Sequence, residues 1–206
     1  MMLEAIFGYK SSWRIMELLS ETPIKSIFRT EIKQHTKLGN EAVNTAIKRL
    51  VASEIVIKEK DRKKESYYLN LSNEFAKTIV DLIKKERMHL KNISFDNITL
   101  LNEFIRRLLE KTNFIHKIYL FGSVAKGTAR VDSDIDMCLI TKKKDIKQEL
   151  VVTQIIDSLQ KQFKREIQAH YFTADEFESS KTAVIKEIKN DGIDLLAYQK
   201  RLAYRE

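Results

Sequence analysis

The chain has 206 residues, with 37 Lys and Arg against 29 Asp and Glu for a formal net charge of +8, a 43% hydrophobic share, one proline and one cysteine. This length buries a sizeable core in one large or two small domains, while the composition excludes a disordered polar chain, a membrane span of roughly 18 apolar residues, an intramolecular disulfide and a cysteine-built zinc cage. The N-terminal stretch MMLEAIFGYKSSW has none of the segments of a signal peptide, so a cytoplasmic location is expected, and the basic balance favours polyanionic partners such as nucleic acid or nucleoside triphosphates.

Residues 1–72 read as three helices and a hairpin. SSWRIMELLSE sets Trp13, Ile15, Met16, Leu18 and Leu19 on one helical side, with Ser11 or Ser12 as N-cap and Pro23 beyond the end. A short polar helix starts near Thr30 and ends before Gly39, where a positive φ is expected at the turn. Asn40 is then expected to cap a third helix, NEAVNTAIKRLVASE, whose Val43, Ala46, Ile47, Leu50 and Val51 recur at three and four. That spacing leaves Asn44, Thr45, Lys48 and Arg49 toward solvent. IVIKEK and SYYLNL follow as strands joined by the polar turn DRKKE, which carries Arg62, Lys63 and Lys64. Helices and hairpin in this order make a helix-turn-helix with a β-wing.

Residues 73–111 read as a helical linker in two segments divided near NISFDN. Phe75, Ile79, Leu82, Ile83, Glu86 and Leu90 mark one stripe, and Leu100, Leu101, Phe104, Ile105, Leu108 and Leu109 the other. Within 112–206 the character changes to short strands, HKIYLF, SDIDMCLI and REIQAHYF, alternating with the amphipathic helix KQELVVTQIIDSLQKQF. That alternation predicts an α/β domain.

The stretch YLFGSVAKGTARVDSDIDMCLI concentrates the chemistry. Asp134 and Asp136 are two apart, so on a strand their carboxylates project from one face with about 7 Å between Cα atoms. A pair of hard oxygen donors suits magnesium or manganese, held together with substrate phosphates. Gly122 and Ser123 fall where a strand ends and a short helix can begin. There glycine lets a phosphate approach the backbone and serine adds a hydroxyl. Lys126 lies one turn further on. Cys138 shares the strand parity of the aspartates and reads as a small buried hydrophobe.

Gly122-Ser123, ten intervening residues and Asp134-Ile135-Asp136 resemble the signature of the DNA polymerase β-like nucleotidyltransferase superfamily, and FGSVAKGTARVDSDIDMCLI is similar to its minimal nucleotidyltransferase branch. The match includes Lys126, the Gly127-Thr128 pair and Ser133 before the first aspartate. The resemblance implies that Gly122, Ser123, Lys126 and Ser133 bind a nucleoside triphosphate and that Asp134 and Asp136 hold the metals that activate a hydroxyl for attack on the α-phosphorus. It also implies a third carboxylate on the neighbouring strand, REIQAHYF, where alternation puts Glu166, Gln168 and His170 on one face. Glu166 is the only carboxylate there and is the candidate third catalytic residue; if the position falls on Gln168, the third acid is missing. His170 is an alternative base, and Asp175 and Glu176 read as the start of the next helix.

Residues 8–72 resemble the winged-helix DNA-binding domains of prokaryotic regulators. By that resemblance Asn44, Thr45, Lys48, Arg49, Arg62, Lys63 and Lys64 face duplex DNA, with short polar groups at base edges and cations at phosphates. The expected fold class is thus two domains, a mostly α winged helix-turn-helix and an α/β nucleotidyltransferase domain with a small mixed sheet. The expected function is Mg2+-dependent transfer of a nucleoside monophosphate from an NTP to a hydroxyl, with small molecules or a partner protein as the acceptors the resemblance implies. The rival is a catalytically degenerate, nucleotide-sensing transcriptional regulator.

Overall fold

The structure, a computed structural model, describes residues 8–61, 64–87, 90 and 92–197. The chain divides into two compact units, residues 1–89 and 90–206. The stretch expected as a linker is shared between them, one helix to each.

In the first unit the order is α1 (Lys10–Glu21), β1 (Ile27–Phe28), α2 (Arg29–Thr36), α3 (Asn40–Ala52), β2 (Val56–Asp61), β3 (Lys64–Leu69) and α4 (Glu74–Glu86). The three strands pair antiparallel in the order β1-β3-β2. This is the winged helix-turn-helix that the sequence pattern predicts. Trp13, Ile15, Met16, Leu18 and Leu19 of α1 are buried, as are Val43, Ala46, Ile47 and Leu50 of α3, and α1 packs on α2, α3 and α4. From the hairpin, Val56, Tyr67 and Leu69 complete the core.

Local stereochemistry departs from the sequence expectations at the helix ends. α1 begins at Lys10, ahead of both serines, with Tyr9 in the left-handed region at φ 51°. The left-handed residue of the helix-to-helix turn is Lys37, at φ 55°, and Gly39 is extended at φ −70°. Asn40 is therefore the first helical residue of α3 and not its cap. At α2 the Glu31 carboxylate accepts the Phe28 N–H at 2.8 Å, so the entrance is held by an acid three residues on and not by Thr30. β1 is too short to leave a sequence signal; its pairing with Tyr67 and Ser66 of β3 is a tertiary event. In α4 the Asn73 side chain caps Phe75 and Ala76, and the helix buries Ala76, Val80 and Ile83. Phe75, placed by periodicity on the buried stripe, is 77% exposed.

The second unit runs α5 (Phe95–Lys111), β4 (Ile115–Phe121), α6 (Gly122–Lys126), β5 (Ile135–Thr141), α7 (Ile146–Phe163), β6 (Ile167–Thr173), α8 (Ala174–Ser179), α9 (Ala183–Asp191) and β7 (Ile193–Asp194). The mixed sheet has the order β6-β5-β4-β7. β4 is antiparallel to β5 and β7, while β5 and β6 are parallel and joined through α7. Parallel neighbours require such a crossover. β5 is buried along its length apart from Asp136, because both faces of this central strand are covered. On one face Phe121, Cys138 and Ile140 pack with Phe177 of α8 and Ile185 and Ile188 of α9. α5 and α7 pack on each other, burying Leu100, Leu101, Phe104, Ile105 and Leu108 but leaving Leu109 49% exposed.

α7 starts at Asp145, whose carboxylate accepts the N–H groups of Lys147 at 3.0 Å and Gln148 at 3.3 Å. Removing such a cap typically costs about 1 kcal/mol. Asp145→Ala is expected to lower the unfolding free energy of the second unit by that amount in urea titrations, with the slope against denaturant unchanged.

Candidate nucleotide and metal site

The site is assembled where β4 hands over to α6. The last residue of β4, Phe121, pairs with Asp136 on β5, which sets the next residue, Gly122, beside the Asp136 carboxylate. Gly122 has φ +69°, and a Cβ there would lie 2.2 Å from Oδ2 of Asp136. An alanine would carry about 1–2 kcal/mol of left-handed strain and would expel the carboxylate. Gly127 closes α6 at φ +72°, its N–H bonded to the Val124 carbonyl at 3.2 Å. The loop returns with Thr128 N–H on the Ser123 carbonyl at 3.0 Å, and with the Ser133 hydroxyl accepting the Arg130 N–H at 2.9 Å.

Asp134 and Asp136 flank the buried Ile135 and are both half-buried. Ile135 donates its N–H to the Glu166 carbonyl at 3.0 Å, and in the parallel ladder Asp136 stands beside Gln168. Nε2 of Gln168 donates to Oδ2 of Asp134 at 2.7 Å. Gln168 is therefore the β6 residue brought against the two aspartates. Glu166 lies one residue before β6, exposed. His170 is on the same face as Gln168, its ring 5.5 Å from that of Phe121. Burial is the main force that pushes the Asp136 carboxyl above the ordinary aspartate range, and the negative charges of Asp134 and Glu187 push the same way against an opposing pull from His170. Cys138 is fully buried, its thiol pushed up to about 12 by burial, which leaves it unreactive and suits the small-hydrophobe reading.

Lys126 does not stand alone. Its ammonium lies 2.6 Å from Glu187 and 3.5 Å from Asp191, both on α9. These two acids were absent from the sequence reading, although Val184, Ile185 and Ile188 ahead of Gly192 carry the spacing and stop signal of a helix.

Among the described residues no group of three His, Cys, Asp or Glu side chains is gathered so as to hold a metal ion. The donor set at β5 nevertheless fits a hard divalent cation shared with phosphate oxygens: two carboxylates on one face, one of them raised by burial and by a neighbouring negative charge that a cation would offset.

On the first unit, Asn44, Thr45, Lys48 and Arg49 are all exposed on α3. Asn44 and Lys48 border a groove shared with Arg29, Lys58 and Tyr67. Thr45 and Arg49 border another with Lys10 and Ser12, where the Arg49 guanidinium sits 4.4 Å above the Tyr9 ring. Lys64 opens β3, its ammonium 5.8 Å from the Phe28 ring. Arg62 and Lys63 lie outside the described residues.

The raised Asp136 carboxyl gives a sign that can be tested. Its ionised form is less favourable in the folded chain than in the unfolded one, so it subtracts stability at neutral pH; that penalty starts to shrink as pH falls through the raised folded value and is gone only below the unfolded one. Asp136→Asn is expected to melt at a higher temperature than the parent at pH 7 in chelator, with the difference shrinking as the pH is lowered into the acid range.

Comparison with known proteins agrees with this geometry. The polymerase beta nucleotidyltransferase family model matches residues 103–201. No curated protein gives a significant match. Among solved structures, a toxin-antitoxin crystal structure with AMP-PNP is 21% identical at a TM-score of 0.37, covering 50% of this chain and 78% of its own. A tri-AMPylated Shewanella oneidensis HEPN toxin in complex with its MNT antitoxin is 18% identical at 0.34, covering 50% and 75%. The adhesin competence repressor of Streptococcus pyogenes is 21% identical at 0.35, covering 53% and 87%. Likenesses at these scores set no function. The family match and the paired aspartates beside Gly122 concern the same segment: residues 103–201 form a nucleotidyltransferase domain of the polymerase beta family.

Proposed function

We propose that the second unit binds a nucleoside triphosphate with magnesium or manganese and transfers its nucleoside monophosphate to a hydroxyl acceptor, and that the first unit binds duplex DNA. The observation that carries the nucleotide reading is the packing of the Asp136 carboxylate on the Gly122 backbone, which joins the phosphate-binding turn to the cation ligands. Gly122 leaves the backbone open to a phosphate, Ser123 supplies a hydroxyl, and Lys126 and Ser133 lie at the two ends of the loop between them and the aspartates. Asp134 and Asp136 would hold the cation, which when bound polarises the α-phosphate and neutralises the leaving pyrophosphate. In the transfer, the acceptor oxygen bonds to the α-phosphorus as the bond to the bridging oxygen breaks, and the acceptor's proton passes to a base. Glu166 is the base we assign, with His170 next. A protein hydroxyl is the acceptor class to test first, and the cytoplasm is the compartment this reading implies. Among the described residues no helix is long and apolar enough to cross a membrane.

One observation favours a second reading. Gln168 takes the place beside Asp136 and bonds to Asp134, and an amide accepts no proton. A site built this way binds nucleotide and signals its presence to a DNA-binding unit without turnover.

The two readings separate in one set of measurements. NTP binding by calorimetry is expected to require the cation and to be lost in the Asp134→Asn, Asp136→Asn double variant; unchanged affinity there removes the site assignment. With labelled NTPs and cell extract, Glu166→Gln is expected to keep binding and to lower transfer by orders of magnitude if the chain is an enzyme. If it is a sensor, the parent transfers nothing, and Gln168→Asp, which restores a carboxylate beside Asp136, is the variant expected to gain transfer.

DNA binding is supported by the four exposed polar side chains on the side of α3 opposite Val43, Ala46, Ile47 and Leu50. Replacing Arg62, Lys63 and Lys64 with alanine is expected to weaken binding to all sequences alike and to reduce the salt slope by about 0.9 for each phosphate no longer neutralised. Alanine at Asn44 and Thr45 is expected to relax sequence preference by about 1–3 kcal/mol for each base edge read, with little change in slope. Mobility shifts at two salt concentrations measure both, and no shift even at low salt would identify the winged helix as a protein-docking surface.

A further inference from the structure

Asp134 stands just outside the ladder that fixes its partner. β5 begins at Ile135, so Asp136 has paired neighbours on both sides, Phe121 and Gln168, whereas the backbone ahead of Asp134 belongs to the loop after α6. That loop is exposed at its tip, with Val131 at 92%. Its own closure consists of the Ser133 N–H on the Arg130 carbonyl at 3.2 Å and the Ser133 hydroxyl contact already described. A carboxylate mounted on such a loop samples many positions unless something outside the loop holds the backbone.

Arg165 does so. Its guanidinium donates through one Nη to the Val131 carbonyl and through the other to the Ser133 carbonyl. The Ser133 carbonyl belongs to the peptide unit whose nitrogen is that of Asp134, so the contact fixes the peptide plane from which the carboxylate departs. The planar fork of an arginine spans two acceptors at once, which a lysine ammonium on its single stem does not reproduce. The next residue of the same segment accepts the Ile135 N–H, and Gln168 grips the Asp134 carboxylate itself. Arg165, Glu166 and Gln168 thus hold the backbone before Asp134, the backbone after it and its side chain.

We propose that Arg165 is a positioning residue for the cation site, acting through the Val131 and Ser133 carbonyls to fix Asp134 in the orientation that binds a divalent cation. This rests on the reading of Asp134 and Asp136 as cation ligands. Groups that orient a ligand from behind are worth about 10- to 100-fold in metal affinity. A guanidinium that merely tethered a surface loop would contribute nothing to that affinity.

The experiment uses the full chain without nucleotide and reads Mn2+ affinity by calorimetry, with thermal melting alongside. Arg165→Ala is expected to bind Mn2+ about 10- to 100-fold more weakly, to recover part of that affinity in millimolar guanidinium, and to show no such recovery when combined with Asp134→Asn. Wild-type Mn2+ affinity in Arg165→Ala, with Asp134→Asn weakened, overturns the positioning role and leaves the site reading intact. Wild-type affinity in Asp134→Asn removes both. Should Arg165→Ala fail to fold, Arg165→Lys keeps the charge without the fork, and unchanged Mn2+ affinity in that variant overturns the proposal equally.

Discussion

The second unit depends on one close approach, that of the Asp136 carboxylate to the backbone of Gly122. A half-buried carboxylate over a turn that admits no Cβ ties three things together: the end of β4, the left-handed turn into α6 and the face of β5 that carries the acids. Asp136 is costly to ionise there, because burial and the charges of Asp134 and Glu187 all oppose it. Such an arrangement persists where a cation compensates the charge, and the hard oxygen donors on that face suit one. The ordinary core on the same side, Cys138 and Ile140 against Phe177, Ile185 and Ile188, holds the sheet rigid beneath the site.

Which β6 side chain stands beside the paired aspartates is a matter of register. β6 runs parallel to β5 with Ile135 against Ile167, Asp136 against Gln168 and Met137 against Ala169. Side chains repeat every two residues, so Glu166 and Gln168 share a face, and a shift of two would exchange one for the other beside Asp136. The buried pair Ile135 and Ile167 and the Ile135 N–H bond to the Glu166 carbonyl hold the observed register. An amide therefore faces the aspartates while the Glu166 carboxylate stands one residue ahead of the strand.

In the first unit α3 divides its residues cleanly. Val43, Ala46, Ile47 and Leu50 bind it to α1 and the sheet, which leaves Asn44, Thr45, Lys48 and Arg49 at the surface with a groove on either side. Arg49 is not a freely moving cation, since its guanidinium stacks on Tyr9; such stacking holds the group in place while leaving its edge donors available.

Much of this was legible in the sequence because it is periodic or covalently local. The apolar spacing of α1, α3, α5 and α7 marks helices wherever the chain is read, and the Gly122-Ser123 and Asp134-Ile135-Asp136 pair lies within one loop and its flanking strands. What the sequence did not hold was whatever depends on a partner distant in the chain. The two-residue β1 exists because β3 accepts it, Phe75 is exposed because α4 buries Ala76, Val80 and Ile83 instead, and the helix ends follow the turns available rather than the nearest serine or asparagine. Glu187 and Asp191 pair with Lys126 across some sixty residues, and Arg165 reaches back more than thirty to the loop before Asp134. Local pattern singled out the candidate residues of the site; only the packed sheet decided that Gln168, and not Glu166, stands beside Asp136, because register between strands is set by burial on both faces and not by either strand alone.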